Sequence, residues 1–166
     1  MASGDSLFSC EPRESLIAPP FLPAAALVAR GDRMVLAFDA AVREIAAWQG
    51  TIPRQYSGLG ITARLMWTGA TATTGDAVWF VQFERHDPSQ DLDSDLFGGT
   101  GHTVIAPTNV VSGAPTYTDI ALGAAALPPG LVGGEHVRWI LAREATNEND
   151  TMAGDAEIHA VELRET

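Results

Sequence analysis

The sequence predicts an all-β fold, an antiparallel sandwich, and three observations carry that reading. Apolar and polar residues alternate over short stretches, the period of two expected of a strand with one side on a core. Sixteen glycines and ten prolines divide the 166 residues into intervals suited to short strands joined by turns. The last thirty-odd residues hold two β-type segments around the polar run Asn147-Glu148-Asn149-Asp150-Thr151.

Residues 1–23 read as an extended N-terminal arm, because Pro12, the pair Pro19-Pro20 and Pro23 can lie along a surface but hardly inside a sheet. Leu7, Phe8, Leu16, Ile17 and Phe21 give the arm apolar anchors, either for its own domain or for a partner subunit. Residues 24–166 form a single sandwich domain. Within it Met34, Leu36 and Phe38 alternate, as do Ile61, Ala63, Leu65 and Trp67, and then Ala77, Trp79, Val81 and Phe83. The segment from Leu65 to Phe83 is expected to be a hairpin that puts Trp67 and Trp79 in one core. Ala40 to Trp48 is rich in helix formers behind Asp39, yet Ala46, Trp48, Gly50 and Ile52 alternate, and nine residues make a marginal helix; the expectation is a strand over Glu44–Ile52. Short strands follow at His102–Ala106 and Tyr117–Leu122, with one helical turn in Gly123–Leu127. A terminal hairpin closes the chain, with Val137, Trp139 and Leu141 on one face of its first strand. In its second strand the apolar parity shifts from Ile158 and Ala160 to Val161 and Leu163, which a β-bulge or a strand covered on both faces explains.

Composition narrows the partners. All ten basic residues are arginines, and 21 acids bring the formal net charge to −11. A field of that sign repels phosphate backbones and anionic lipid, so no nucleic-acid and no membrane partner is expected. One cysteine, Cys10, leaves no internal disulfide and reads as a free thiol. Met1 to Asp5 lacks the basic and apolar runs of a signal peptide, so assembly in a cytoplasm is expected.

No constellation carries chemistry. Asp91, Asp93 and Asp95 have the alternate spacing of a calcium loop, but Leu96 stands where the glycine belongs and His102 where the bidentate Glu belongs; a solvated acidic turn is the stronger reading. Asn147, Glu148, Asn149, Asp150 and Asp155 make a second oxygen-rich loop. His86, His102, His136 and His159 lack metal-ligand spacing, although His136 and His159 could face each other across the terminal hairpin. No Gly-x-Ser-x-Gly elbow occurs, and Gly58-Leu59-Gly60 is not a dinucleotide fingerprint. Arg30-Gly31-Asp32 reads as a turn between strands. Trp67, Trp79 and Trp139 fall on the apolar parity of their strands, which leaves Trp48 as the tryptophan free for a sugar-stacking role. The expectation is therefore no enzyme, no catalytic residue, no cofactor and no metal.

The run Val35-Leu36-Ala37-Phe38-Asp39, then Gly50-Thr51-Ile52-Pro53-Arg54-Gln55-Tyr56, Gly60 to Trp67, Phe83-Glu84-Arg85, Asp91 to Asp95 and the glycine-strand-acidic-loop arrangement at the end resemble β-sandwich proteins of tailed-bacteriophage virions. That resemblance implies a jelly-roll-like sandwich on a virion. It implies most directly a decoration, or cement, protein on the capsid surface: a homo-oligomer, expected to be a trimer, bound to the major capsid protein and assembled in the bacterial host cytoplasm. The alternative is a tail, neck or fibre-associated module that binds host carbohydrate.

Overall fold

The computed structural model describes residues 4–16, 23–86 and 101–166. It is a jelly-roll-like antiparallel β-sandwich. The strands among the described residues are β1 (Ser6–Cys10), β2 (Ala26–Arg30), β3 (Arg33–Phe38), β4 (Glu44–Thr51), β5 (Gly60–Gly69), β6 (Asp76–Arg85), β7 (His102–Pro107), β8 (Thr116–Gly123), β9 (His136–Arg143) and β10 (Ala156–Glu165). One sheet runs β2-β3-β10-β5-β8, with β1 added beside β10; the other runs β4-β9-β6-β7. Short 3-10 turns follow β1 at Pro12–Glu14 and β8 at Ala124–Ala126, the second within the helical turn expected there.

Alternation puts one side of each sheet on the shared core. Ile61, Ala63, Leu65 and Trp67 from β5 meet Ala77, Trp79, Val81 and Phe83 from β6, all essentially without solvent exposure. Trp67 and Trp79 meet edge to face at 5.6 Å, and Phe38 meets Trp79 the same way at 5.3 Å. Trp139 lies between Trp48 at 4.6 Å and Phe83 at 5.8 Å, a stack of three rings formed by cross-strand neighbours on β4, β9 and β6. Offset and edge arrangements of this kind add to area burial because the ring edge is positive and the face negative.

Several expectations need correcting. β5 and β6 are not a hairpin, since β5 belongs to the first sheet and β6 to the second; β9 and β10 are likewise split between the sheets. Parity fixes which side chains face the core, and two strands facing it from opposite sheets carry the same parity as two paired strands. His136 and His159 consequently do not face each other, and the ring beside His136 is His86 at 4.9 Å. Trp48 is 2% exposed and donates its indole N–H to the Glu11 carbonyl at 3.2 Å, so it is core like the other three. The N-terminal segment enters a sheet, with Ser9 opposite Glu162 and Cys10 opposite Val161. Its prolines fall outside β1, which leaves the ladder intact.

Two expectations hold. Glu44–Thr51 is a strand, and the parity shift in β10 is a bulge, with the register slipping between Ile158 and Ala160.

Arg143, the last residue of β9, has no solvent exposure, and Asp150 opposite it is 1% exposed. The guanidinium spends all five N–H donors. Nε and Nη2 form a fork onto Asp150 at 3.0 and 2.7 Å; Nη1 reaches the carbonyls of Phe38 and Gly154, and Nη2 also that of Met152. Asp150 in turn accepts the Val78 N–H at 2.9 Å. One side chain thereby fastens the ends of β3 and β9, the start of β6 and the loop leading to β10.

Arg143→Met leaves Asp150 buried without its counter-charge and is expected to cost about 3–5 kcal/mol in denaturant unfolding. The double replacement with Asp150→Leu should recover part of that loss; a single variant as stable as the parent would show that the pair is dispensable. Cys10 is 4% exposed, and burial, reinforced by Glu14 and Glu11, pushes its thiol up to about 12. At about pH 8 it should resist a thiol reagent in the native protein and react once unfolded; prompt native labelling would contradict the placement of β1.

Candidate functional site

The outward side of the six-stranded sheet carries two adjoining depressions. Inward parity for Ala63, Leu65 and Trp67 leaves Thr62, Arg64 and Met66 outward on β5. Ladder register then sets the outward residues in rows. Tyr117, Met66 and Ala160 form one row across β8, β5 and β10; Asp119, Arg64 and Glu162 form the next, continued by Ser9 on β1. Cross-strand neighbours on one face stand close enough for side chains to interact.

These rows floor a depression of about 370 Å³ lined by Tyr117, Arg64, Glu162 and Arg164 among others. Tyr117 is 55% exposed, and the Arg64 guanidinium lies 5.0 Å from its ring centroid over one face. Arg64 also pairs with Asp119 at 3.6 Å. Arg164 donates to Glu162 at 2.5 Å, and that bond first of all holds the Glu162 carboxyl below its ordinary range.

A second depression, about 470 Å³, adjoins the first and shares Met66 and Ala160 with it. Its origin is the bulge. β10 pairs with β3 through Ile158 and with β1 only from Val161 onward, so His159 and Ala160 have no strand on that side. The opening is walled by the turn after β1 (Glu11, Pro12, Arg13) and the start of β3 (Asp32, Arg33, Met34). His159 Nε2 sits 3.0 Å from the Thr68 hydroxyl, which also donates to Glu157; Arg30 reaches Glu157 at 3.3 Å. The two depressions make one groove across the sheet, from the β8 edge to the β2–β3 turn.

The residues singled out in the sequence fall elsewhere. Leu7 is in the core at 8% exposure, and Phe8 packs beside it over Gly50. Leu16 is 41% exposed and bridges to Ala47 on the β4 edge. Ile17, Phe21 and the acidic series Asp91, Asp93 and Asp95 lie outside the described residues. In the second oxygen-rich loop Asp150 is taken by Arg143, and Asn147 caps the backbone of Asn149. No group of three His, Cys, Asp or Glu among the described residues is placed to hold a metal ion. In Arg30-Gly31-Asp32, Arg30 ends β2 and Gly31-Asp32 is the two-residue turn to β3, with Gly31 at φ +62°, a conformation suited to glycine. The groove residues escaped the sequence reading because they occupy the polar parity of strands, where any solvated face looks alike; the signal available was the parity of β5 combined with the bulge in β10.

No family model matches the chain, and no curated protein matches its sequence. Solved structures do. One is a carbohydrate-binding module (CBM6cm-2) from Cellvibrio mixtus lichenase 5A in complex with cellotriose, 12% identical, with 97% of this chain and 98% of that chain covered and a TM-score of 0.49. Another is the family 30 carbohydrate-binding module of a cellulosomal cellulase of Clostridium thermocellum, 10% identical, with 99% and 95% covered and a TM-score of 0.44. The expected capsid-decorating role is corrected at this point: both of these similar structures are carbohydrate-binding modules, and neither is a virion protein.

His159 supplies a test of the groove's wall. Burial lowers its pKa below the ordinary 6.5, with Arg33 and Arg30 acting in the same direction and Glu157 opposing. The unfolded chain therefore takes up this proton more readily than the folded one, so stability is complete above the ordinary value and declines as the pH falls below it. The melting temperature should drop between about pH 7 and pH 5 more steeply in the parent than in His159→Gln; parallel curves would show that His159 is not desolvated.

Proposed function

We propose that the protein is a carbohydrate-binding module whose ligand lies along the groove of the six-stranded sheet. The observation that carries this reading is the exposed Tyr117 beside Arg64, Asp119, Glu162 and Arg164, in an elongated depression open at the surface. A sugar ring has an apolar C–H face and a rim of hydroxyls. It therefore calls for a flat apolar surface beside groups that donate and accept in fixed directions, and guanidinium and carboxylate forks do this with paired bonds. Both sit here on adjacent strands of one sheet, rigidly spaced. The role is binding without turnover.

The resemblance to tailed-phage virion proteins supports placing such a module on a tail, neck or fibre. There it would act as a homo-oligomer, because several weak sites on one particle multiply their effect through effective concentration.

Affinity electrophoresis through gels cast with a panel of neutral and acidic polysaccharides tests the reading. At least one polymer should retard the protein, and Tyr117→Ala should weaken that retardation by roughly tenfold or more, the loss of one well-made contact, with an unchanged melting temperature. Free migration in every gel, or full retardation of the Tyr117 variant, would overturn it.

A further inference from the structure

The charge of the groove runs against the charge of the molecule. Arg13, Arg33, Arg64 and Arg164 line its two depressions, four of the chain's ten arginines, whereas only Glu11, Asp32 and Glu162 of its 21 acids do. The lining thus carries one net positive charge while the whole chain carries −11. Adding Asp119, which pairs with Arg64 from the β8 edge, makes it neutral and no more.

The guanidinium groups also exceed what the neighbouring carboxylates occupy. Arg13 has no side-chain partner among the described residues. Arg33 has a loose contact with Asp32 at 3.9 Å, with the two side chains 67% and 96% exposed. Arg164 uses Nη2 on Glu162, and its Nε is buried without a hydrogen-bond partner. A buried donor without an acceptor costs free energy until something supplies one.

We infer that the groove takes an acidic saccharide, one whose uronic carboxylates sit on Arg13, Arg33 and Arg164. This rests on the carbohydrate-binding reading and names its ligand class. A carboxylate is planar and accepts two parallel bonds from a guanidinium fork, so arginine selects it over a neutral hydroxymethyl group at the same ring position. The surrounding negative field repels polyanions from other faces and leaves the groove as the place where one can approach.

The test compares oligogalacturonate with the same oligomer after reduction of its carboxyls, by calorimetry at low salt. Wild type should bind the acid form about tenfold more tightly or better, a difference of one charge-assisted contact. Arg13→Gln combined with Arg33→Gln, both at the exposed rim, should bring the two affinities within about twofold of each other and leave the melting temperature unchanged. Equal affinity of wild type for the two forms, or preservation of the preference in the double variant, would overturn the inference while the module reading stands. Binding of a sulfated glucan in preference to the uronate would overturn the carboxylate assignment. Failure to bind any of the three polymers would likewise overturn the inference, while retardation in the wider panel of gels decides whether the groove takes another glycan.

Discussion

The buried pair of Arg143 and Asp150 is the constraint on which the rest of the sandwich depends. Six connections switch between the sheets: β3 to β4, β4 to β5, β5 to β6, β7 to β8, β8 to β9 and β9 to β10. A sheet switch breaks the ladder and leaves backbone groups at the strand ends without a neighbouring strand. Arg143 takes up carbonyls from the end of β3 and from two places in the loop before β10, and Asp150 takes the amide of Val78 at the start of β6. Around this pair, Thr151 and Met152 donate to Asp76, Ala70 donates to Asp155, and Thr108 donates to Gly75. The pair's net contribution to stability is modest because both charges are desolvated; its value lies in holding one geometry, since any other leaves a charge uncompensated.

That geometry reaches the groove through β10. The loop held by Arg143 delivers the chain to Ala156, which opens the pairing with Phe38 on one side and Gly69 on the other. Three residues later the bulge inserts His159, and β10 passes from β3 to β1 as its neighbour. A regular ladder would have left no gap there. The bulge therefore does two things with one extra residue: it opens the edge of β10 beneath the turn after β1, and it returns Glu162 and Arg164 to the outward side while Val161 and Leu163 stay inward. Without the shift, Ile158 and Val161 could not both face the core.

Much of the fold was legible because alternation reports burial directly. The inward sets of β5, β6 and β9 and the strand over Glu44–Thr51 follow from it, as does the bulge, which shows as a break in parity. Sheet membership was not legible, since Trp67 and Trp79 have the same parity whether they meet across a hairpin or across the sandwich. Arg143 carries a signal of its own. It lies two residues beyond Leu141 on the inward parity of Val137 and Trp139, and an arginine there, ahead of an acidic loop, calls for a buried carboxylate partner. Trp48 misled in the opposite direction, because its strand is apolar on both sides, with Ile45 and Ala47 joining Ile140 and Ala142 in a second cluster outside the main core.

The site was harder to read because recognition surfaces use the parity that the core ignores. Arg64, Glu162 and Asp119 look like an ordinary solvated face in sequence, being charged residues on alternate positions of strands far apart in the chain. Their meaning comes from register, which aligns them across three strands and sets Tyr117 beside them, and from the distribution of charge over the whole molecule. A chain with twice as many acids as arginines could have surrounded this groove with carboxylates. It has instead placed four of its ten guanidinium groups there. Folding alone gives no reason for that concentration on one outward face, because an exposed pair contributes little to stability wherever it sits. A ligand with negative charge along its length does.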